Sequence, residues 1–289
     1  MTEAERIRLV DEAAGGEEPP PGFVRRRVDL PVRDEVLRLA ADVPCRAVRL
    51  AEIVPLVYEA TDRLMAIYLR DAREQSRTVY CRKGCGVCCN RYLIVLAPTE
   101  VDYLMETIES LPPGRRGEVR AWLSGAAALA EASGLHQRLD GLGPKDDPAD
   151  VVAEWWLAQE MLKCPFPAGG LCTIYPHRFI ACREHYSYVP PECCARREPS
   201  RMPAPISFRI GLRLAEERLT GRPAEWVALP LVKVSAERRA PQAGQTWPAA
   251  EVVEAVFAAF SETAADAQRL RGRAVVARPG WGEDGNPPR

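Results

Sequence analysis

The chain has 289 residues, 47% of them hydrophobic and 27% charged, which is the composition of an ordinary soluble protein and excludes a disordered or membrane-embedded one. A formal net charge of −1 supplies no broad field for capturing nucleic acid or an anionic membrane, so neither is expected as a partner, and a protein partner is left unnamed. The length allows two domains of about 150 residues or one larger domain with loose ends.

Residues 1–30, containing GGEEPPPG, read as a flexible, acidic, proline-rich lead without a core. The N-terminus mixes Glu and Arg and lacks the apolar stretch of a signal peptide. The best apolar run elsewhere, YLIVLAP at 92–98, is far short of the roughly 20 residues a spanning helix requires, and a cytoplasmic location is expected. From about residue 33 helical spacing sets in: Leu50, Ile53, Val54, Val57, Leu64, Met65 and Tyr68 recur at threes and fours, with Pro55 marking a start or a kink. RYLIVLA at 91–97 reads as a short buried strand. PTEVDYLMETIESL reads as a helix opened by Pro98 and Thr99 and stopped before Pro112 and Pro113, and a second helix is expected over about 116–132.

The loop DGLGPKDDPAD offers Asp147 as an N-cap and Pro148 as the first helical residue of a helix running through Trp155 and Leu162 to Cys164. The pair Trp155 and Trp156 reads as packing. Residues 164–200 are rich in Pro, Gly and Cys and poor in periodicity, so their order must come from something other than a large apolar face. A helix follows over ISFRIGLRLAEERLTG with Ile206, Ile210 and Leu214 on one side, then a strand-like WVALPLVKV. A further helix lines up Val253, Val256, Phe257, Phe260 and Ala264. The tail from about 271 reads as disordered.

Nine of the ten cysteines fall into two clusters: Cys81, Cys85, Cys88 and Cys89, and then Cys164, Cys172, Cys182, Cys193 and Cys194. In a reducing compartment such crowding points to metal ligation or thiol chemistry rather than disulfides. Zinc and iron–sulfur clusters both prefer thiolates and usually take four, so nine are enough for two centres. Cys85 and Cys88 have the spacing at which one tight turn aims two sulfurs at an ion, with Gly84 and Gly86 letting the backbone approach. Cys88 and Cys89 are adjacent and project differently in any regular conformation, so one of them is expected to serve a second metal or to stay free. Arg82, Lys83, Arg178 and Arg183 stand close enough in sequence to offset the charge of several thiolates, with solvated surface charges as the alternative. Cys45, alone in DVPCRAV, reads as a small packed hydrophobe.

The pattern C81-x3-C85-G-x-C88-C89, followed by C164-P-F-x4-L-C172-x-I-Y175 and R178-x3-C182-R183, resembles the CxxCxxCC cysteine-cluster family described as a zinc- or iron-chelating domain, over roughly residues 78–195. The resemblance implies a metal or iron–sulfur site of about eight cysteines. Carried over, these are Cys81, Cys85, Cys88, Cys89, Cys164, Cys172 and Cys182, with either Cys193 or Cys194 as the eighth. Phe179 stands where the family usually has proline. A related group includes flagellin lysine N-methylase, which makes an iron–sulfur enzyme modifying a protein or peptide the alternative function.

Competing chemistries are poorly matched. The Cys81, Cys85, Cys88 spacing also fits radical S-adenosylmethionine enzymes, but those place it after a first barrel strand and follow it with strand–helix repeats. A reactive thiol would need a lowered pKa and a thioredoxin-like setting, which is missing. His177 and His185 bracket Cys182 and read as supporting or surface groups rather than ligands, His136 as a surface residue, and Tyr175 as steadying the site by hydrogen bonding or simply packing. No nucleotide-binding, metalloprotease or nucleophile-elbow motif occurs.

The expected fold is mainly α with a small irregular α+β, metal-organised region, helices surrounding a cysteine-rich knot. A single domain over 31–270 would contain the cysteine region 78–195, flanked by the lead 1–30 and a tail 271–289. The expected function is that of a cysteine-rich protein binding zinc, iron or an iron–sulfur cluster through two thiolate half-sites.

Overall fold

The computed structural model describes residues 6–11, 18–140, 148–159, 162–196, 202 and 206–271. Mainly helical architecture with small antiparallel sheets is what it contains. Three strands, β1 (Arg8–Val10), β2 (Phe23–Val32) and β3 (Glu35–Pro44), pair antiparallel in the order β1-β3-β2. Ile7, Leu9 and Leu30 are buried, so the expected coreless lead over 1–30 is corrected: part of it is a packed strand. The helical spacing from residue 33 is corrected too, because β3 and the short strand β4 (Ala47–Arg49) precede a 3-10 turn over Leu50–Ile53. The charge run Arg25-Arg26-Arg27 hid the alternation of β2. Arg25 donates to the buried carboxylate of Asp42 at 2.8 Å, and Arg26 reaches Glu254.

Helix α1 (Val54–Glu74) begins with Pro55 in its first turn, where a missing amide hydrogen costs nothing. It buries Val57, Leu64, Met65 and Tyr68 as the spacing required. Two helices complete this core: α9 (Phe208–Thr220) and α11 (Ala249–Arg271), which pack on each other, α11 also crossing β2. Phe208 and Phe260 stack at 3.8 Å between ring centroids. The expected face of α9 is shifted: Phe208, Leu212 and Ala215 are buried, whereas Ile210 is 40% exposed.

A second core forms around α3 (Pro98–Glu109) and α4 (Pro113–Ala132), closed by a two-stranded pair of β5 (Val95–Leu96) with β8 (Val227–Ala228). The strand-like segment after Trp226 is a strand for two residues only. It then turns through a 3-10 segment, Leu229–Leu231, into α10 (Val232–Ala243). Trp155 and Trp156, on α6 (Pro148–Ala158), pack in a third cluster with α5 (Leu135–Asp140), and Trp155 Nε1 donates to Ser133 Oγ at 2.7 Å. Asp147 and the tail 272–289 lie outside the described residues.

The irregular segment expected over 164–200 contains, up to residue 196, a two-stranded hairpin of β6 (Pro167–Ala168) and β7 (Leu171–Cys172), a 3-10 turn over Tyr175–His177, and two one-turn helices, α7 (Ile180–Arg183) and α8 (Pro191–Ala195). The hairpin turn is Gly169-Gly170 with φ of 56° and 79°, the left-handed pair that a two-residue turn matched to strand twist demands. Among the described residues no helix is long and apolar enough to cross a membrane.

Candidate functional site

Past α1 the chain pairs Tyr80 N–H with the carbonyl of Ser187 at 3.1 Å, which brings the first cysteine cluster against the second. Gly84, at φ 88°, turns the backbone so that Cys85 N–H bonds Arg82 O at 3.0 Å. The short helix α2 (Val87–Arg91) then carries Cys88 and Cys89 and packs on α8. On the far side Cys164 N–H donates to Cys89 O at 2.8 Å, tying the end of the α6 segment to α2.

The result is one cavity of about 160 Å³ whose walls include Cys81, Cys85, Cys88, Cys89, Cys164, Cys172, Cys182 and Cys194. Residues separated by more than a hundred positions are thus gathered into one place. Of the nine candidate cysteines only Cys193 is not in the wall; its sulfur accepts a hydrogen bond from Arg196 at 3.4 Å. Cys194, by contrast, is buried. Cys45 is exposed, correcting its reading as a packed hydrophobe: it follows β3 at the surface end of the hairpin. Cys88 and Cys89 both face the cavity with their sulfurs in hydrogen-bonding reach of each other, although adjacency argued for divergence.

All ten cysteines are unpaired by disulfides. Among the described residues no three His, Cys, Asp or Glu side chains are drawn together tightly enough to hold a metal ion as they stand. The thiols instead hydrogen-bond one another, Cys88 with Cys89 and Cys89 with Cys164. Contacts and burial together favour the protonated form of Cys88 and Cys89. The Cys88 thiol is pushed far up, first by its bond to Cys89 and then by burial. Cys89 is pushed up to about 12, chiefly by its bond to Cys164, and burial lifts Cys81 to about 11. Burial also raises Cys172, and Cys182 well above its ordinary value. This is the opposite of what a catalytic thiolate requires. It is the state from which a bound cation displaces protons, since thiolates form on coordination.

The donor set fits zinc or iron by its chemistry, soft sulfur in numbers sufficient for one or two four-coordinate centres. The rim fits too. Lys83 Nζ lies 5.5 Å and the Arg178 guanidinium 4.5 Å from the Tyr175 ring centroid, and Arg82, Lys83 and Arg178 all line the cavity. Arg183 does not. It is buried and donates to Arg178 O at 2.9 Å and Pro176 O at 2.6 Å, while pairing with Asp62 of α1. It therefore fixes the turn before Cys182 rather than offsetting charge in the cavity. His185 lines the cavity, and His177 lies outside it with Nδ1 2.7 Å from the Tyr103 hydroxyl. The side chain of His136 lies outside the described residues.

Several residues carry the site without being read as part of it from the sequence, although Phe166 and Ile174 stand inside the quoted cysteine motif. Ser187 N–H donates to Cys81 Sγ at 3.2 Å, and its hydroxyl accepts from Cys194 Sγ at 3.5 Å. Phe166, Ile174 and Phe179 form the apolar back wall. Phe179, noted only as a departure from the proline of the resembled family, packs edge-on against Phe166 with ring centroids 5.9 Å apart. Glu100, fully buried on α3, accepts from Ile180 N–H at 2.9 Å and so holds the start of α7.

Comparison with known proteins finds no match: no family model, no curated protein and no solved structure is similar to this chain.

Proposed function

We propose that this chain is a metal-binding protein of the cysteine-cluster kind, taking zinc, iron or an iron–sulfur cluster on thiolates of Cys81, Cys85, Cys88, Cys89, Cys164, Cys172, Cys182 and Cys194. One observation carries the reading: eight cysteines from five separate segments line a single cavity of about 160 Å³. Packing alone gives no reason to converge eight thiols, each with a cost of ordering, on a space that they do not fill. A void needs only roughly 10–15 Å³ by this measure to admit a water, so this one accommodates a group of several atoms. When bound, the metal would add a cross-link between the segment 164–195 and residues 81–89, and the rim cations Arg82, Lys83 and Arg178 would offset the excess charge of the thiolates.

The test is elemental analysis with a visible absorption spectrum on protein purified without oxygen or added metal. Colourless protein with zinc would make the site structural or metal-carrying; brown protein with iron and acid-labile sulfide would make it a cluster. Protein carrying neither would overturn the reading.

A further inference from the structure

The eight cavity cysteines do not form one uniform lining. Cys164, Cys172 and Cys182 pack against the second core, on the wall made by Phe166, Ile174 and Phe179. Cys89 belongs with them, since its carbonyl receives the Cys164 N–H at 2.8 Å and its sulfur bonds that of Cys164. The remaining four face them from elsewhere. Cys81 and Cys194 converge on one residue, Ser187, which donates its amide to the first sulfur at 3.2 Å and accepts from the second at 3.5 Å. Cys85 and Cys88, three residues apart across the turn that follows Cys81, complete this side, and Cys88 stands at the seam, its sulfur hydrogen-bonded to that of Cys89 and near those of Cys172 and Cys182 as well as Cys81.

Resting on the metal-binding reading, we propose that the cavity holds two distinct four-thiolate groups: one on Cys89, Cys164, Cys172 and Cys182, the other on Cys81, Cys85, Cys88 and Cys194. The boundary runs through the Cys88–Cys89 peptide. Consecutive residues on the one-turn helix α2 point about 100° apart, so they can serve neighbouring centres while their sulfurs stay close. Four thiolates are what each centre takes, whether zinc or an iron–sulfur cluster. Each ligand set also spans two parts of the chain, joining 81–89 to 164–194, so neither centre can assemble from one cluster alone. Cys193 is left out of both.

The experiment compares bound zinc, iron and sulfide, with the native mass, in the full-length wild type and in Cys172→Ser, Cys194→Ser and the double variant, all purified without oxygen. Two groups predict that each single variant loses about half of the bound metal, keeping the remainder with an unchanged spectrum, and that the double variant loses nearly all. Cys193→Ser keeps the full load. Loss of all metal from either single variant would mean one shared group and would overturn the proposal. So would loss from only one of them. A wild type without metal would overturn the underlying reading as well, which separates the two failures. If a variant does not fold, thiol titration of the wild type with a mercurial decides instead: metal released in two steps, each at about four thiols, supports two groups, and release in a single step overturns them.

Discussion

The Glu100 carboxylate accepts the Ile180 N–H at 2.9 Å with no water access, and with its other contacts this one side chain connects three elements around the cysteine cavity. Its oxygens also accept from Ala97 N–H at 3.0 Å, which caps α3, and from Tyr58 OH at 3.1 Å on α1. Removing it strands three buried donors, each costing about 1–3 kcal/mol when left unsatisfied. Glu100→Ala is therefore expected to lose on the order of 3 kcal/mol in urea unfolding and to lower bound metal by loosening α7. A loss under about 1 kcal/mol would show that the network is dispensable.

Arg183 performs the matching task from the other side of α7. Its guanidinium donates to two carbonyls, of Arg178 and Pro176, and pairs with Asp62, a geometry that an ammonium cannot reproduce. Arg183→Lys should destabilise the protein by about 1–3 kcal/mol, with the pair discounted because Asp62 is half exposed. Hydrogen exchange should report faster opening over 176–183. Unchanged exchange there would contradict the positioning role.

The pH dependence has a definite sign. Burial, helped by the charge of Glu100, raises the Glu184 carboxyl to about 7, although it accepts from Ser207 Oγ and Phe208 N–H, both at 2.9 Å, and has the Arg209 cation in its field. The folded state thus holds a proton that the unfolded chain has released above about 4.5, so stability is fully present below that value and falls as pH rises to about 7. A shift of this size corresponds to roughly 3 kcal/mol. Urea midpoints measured between pH 4.5 and 7 should show this slope flattened in Glu184→Gln; an identical slope in variant and wild type would assign it to other groups.

Gly211 is required by close approach rather than by a turn. A Cβ added there would come within 2.6 Å of Phe260 Cδ1, an inflexible ring already stacked on Phe208. Alanine in mid-helix is normally worth about 1 kcal/mol over glycine. Here overpacking at about 1–3 kcal/mol should prevail, and Gly211→Ala is expected to lower the melting temperature. A rise would mean that α9 and α11 can separate at no cost.

Metal removal should act unevenly. The segment 164–195 has only short elements, one-turn helices and a hairpin of two-residue strands, and gives the core a few side chains such as Phe166, Ile174, Phe179 and Ile180, whereas α1, α9 and α11 share a large apolar core. Chelation is expected to raise hydrogen exchange in 164–195 before it does so in the helices. Equal protection with and without metal would contradict this.

How much of this was legible in the sequence depended on whether one element could declare itself alone. Helix α11 could, since Val253, Val256, Phe257, Phe260 and Ala264 keep a helical period and all are buried. The hairpin of β2 and β3 could not: Arg26 interrupts the inward row of Val24, Val28, Leu30 and Val32, and what accommodates it is Glu254, more than two hundred residues away. The cysteines were readable as a set because spacing within each cluster is local. Choosing Cys194 over Cys193 was not, because it rests on Ser187 and on the packing of α8 against α2. The supports, Glu100 and Arg183, are single charged residues whose burial is decided by the whole fold.

The most direct test of the central claim is differential alkylation of the native, metal-loaded chain, read by mass spectrometry at each cysteine. The prediction is rapid labelling of Cys45 and Cys193, protection of the eight cavity cysteines, and labelling of all ten once the metal has been stripped. Equal labelling of the eight before and after stripping would contradict the claim that they hold the metal.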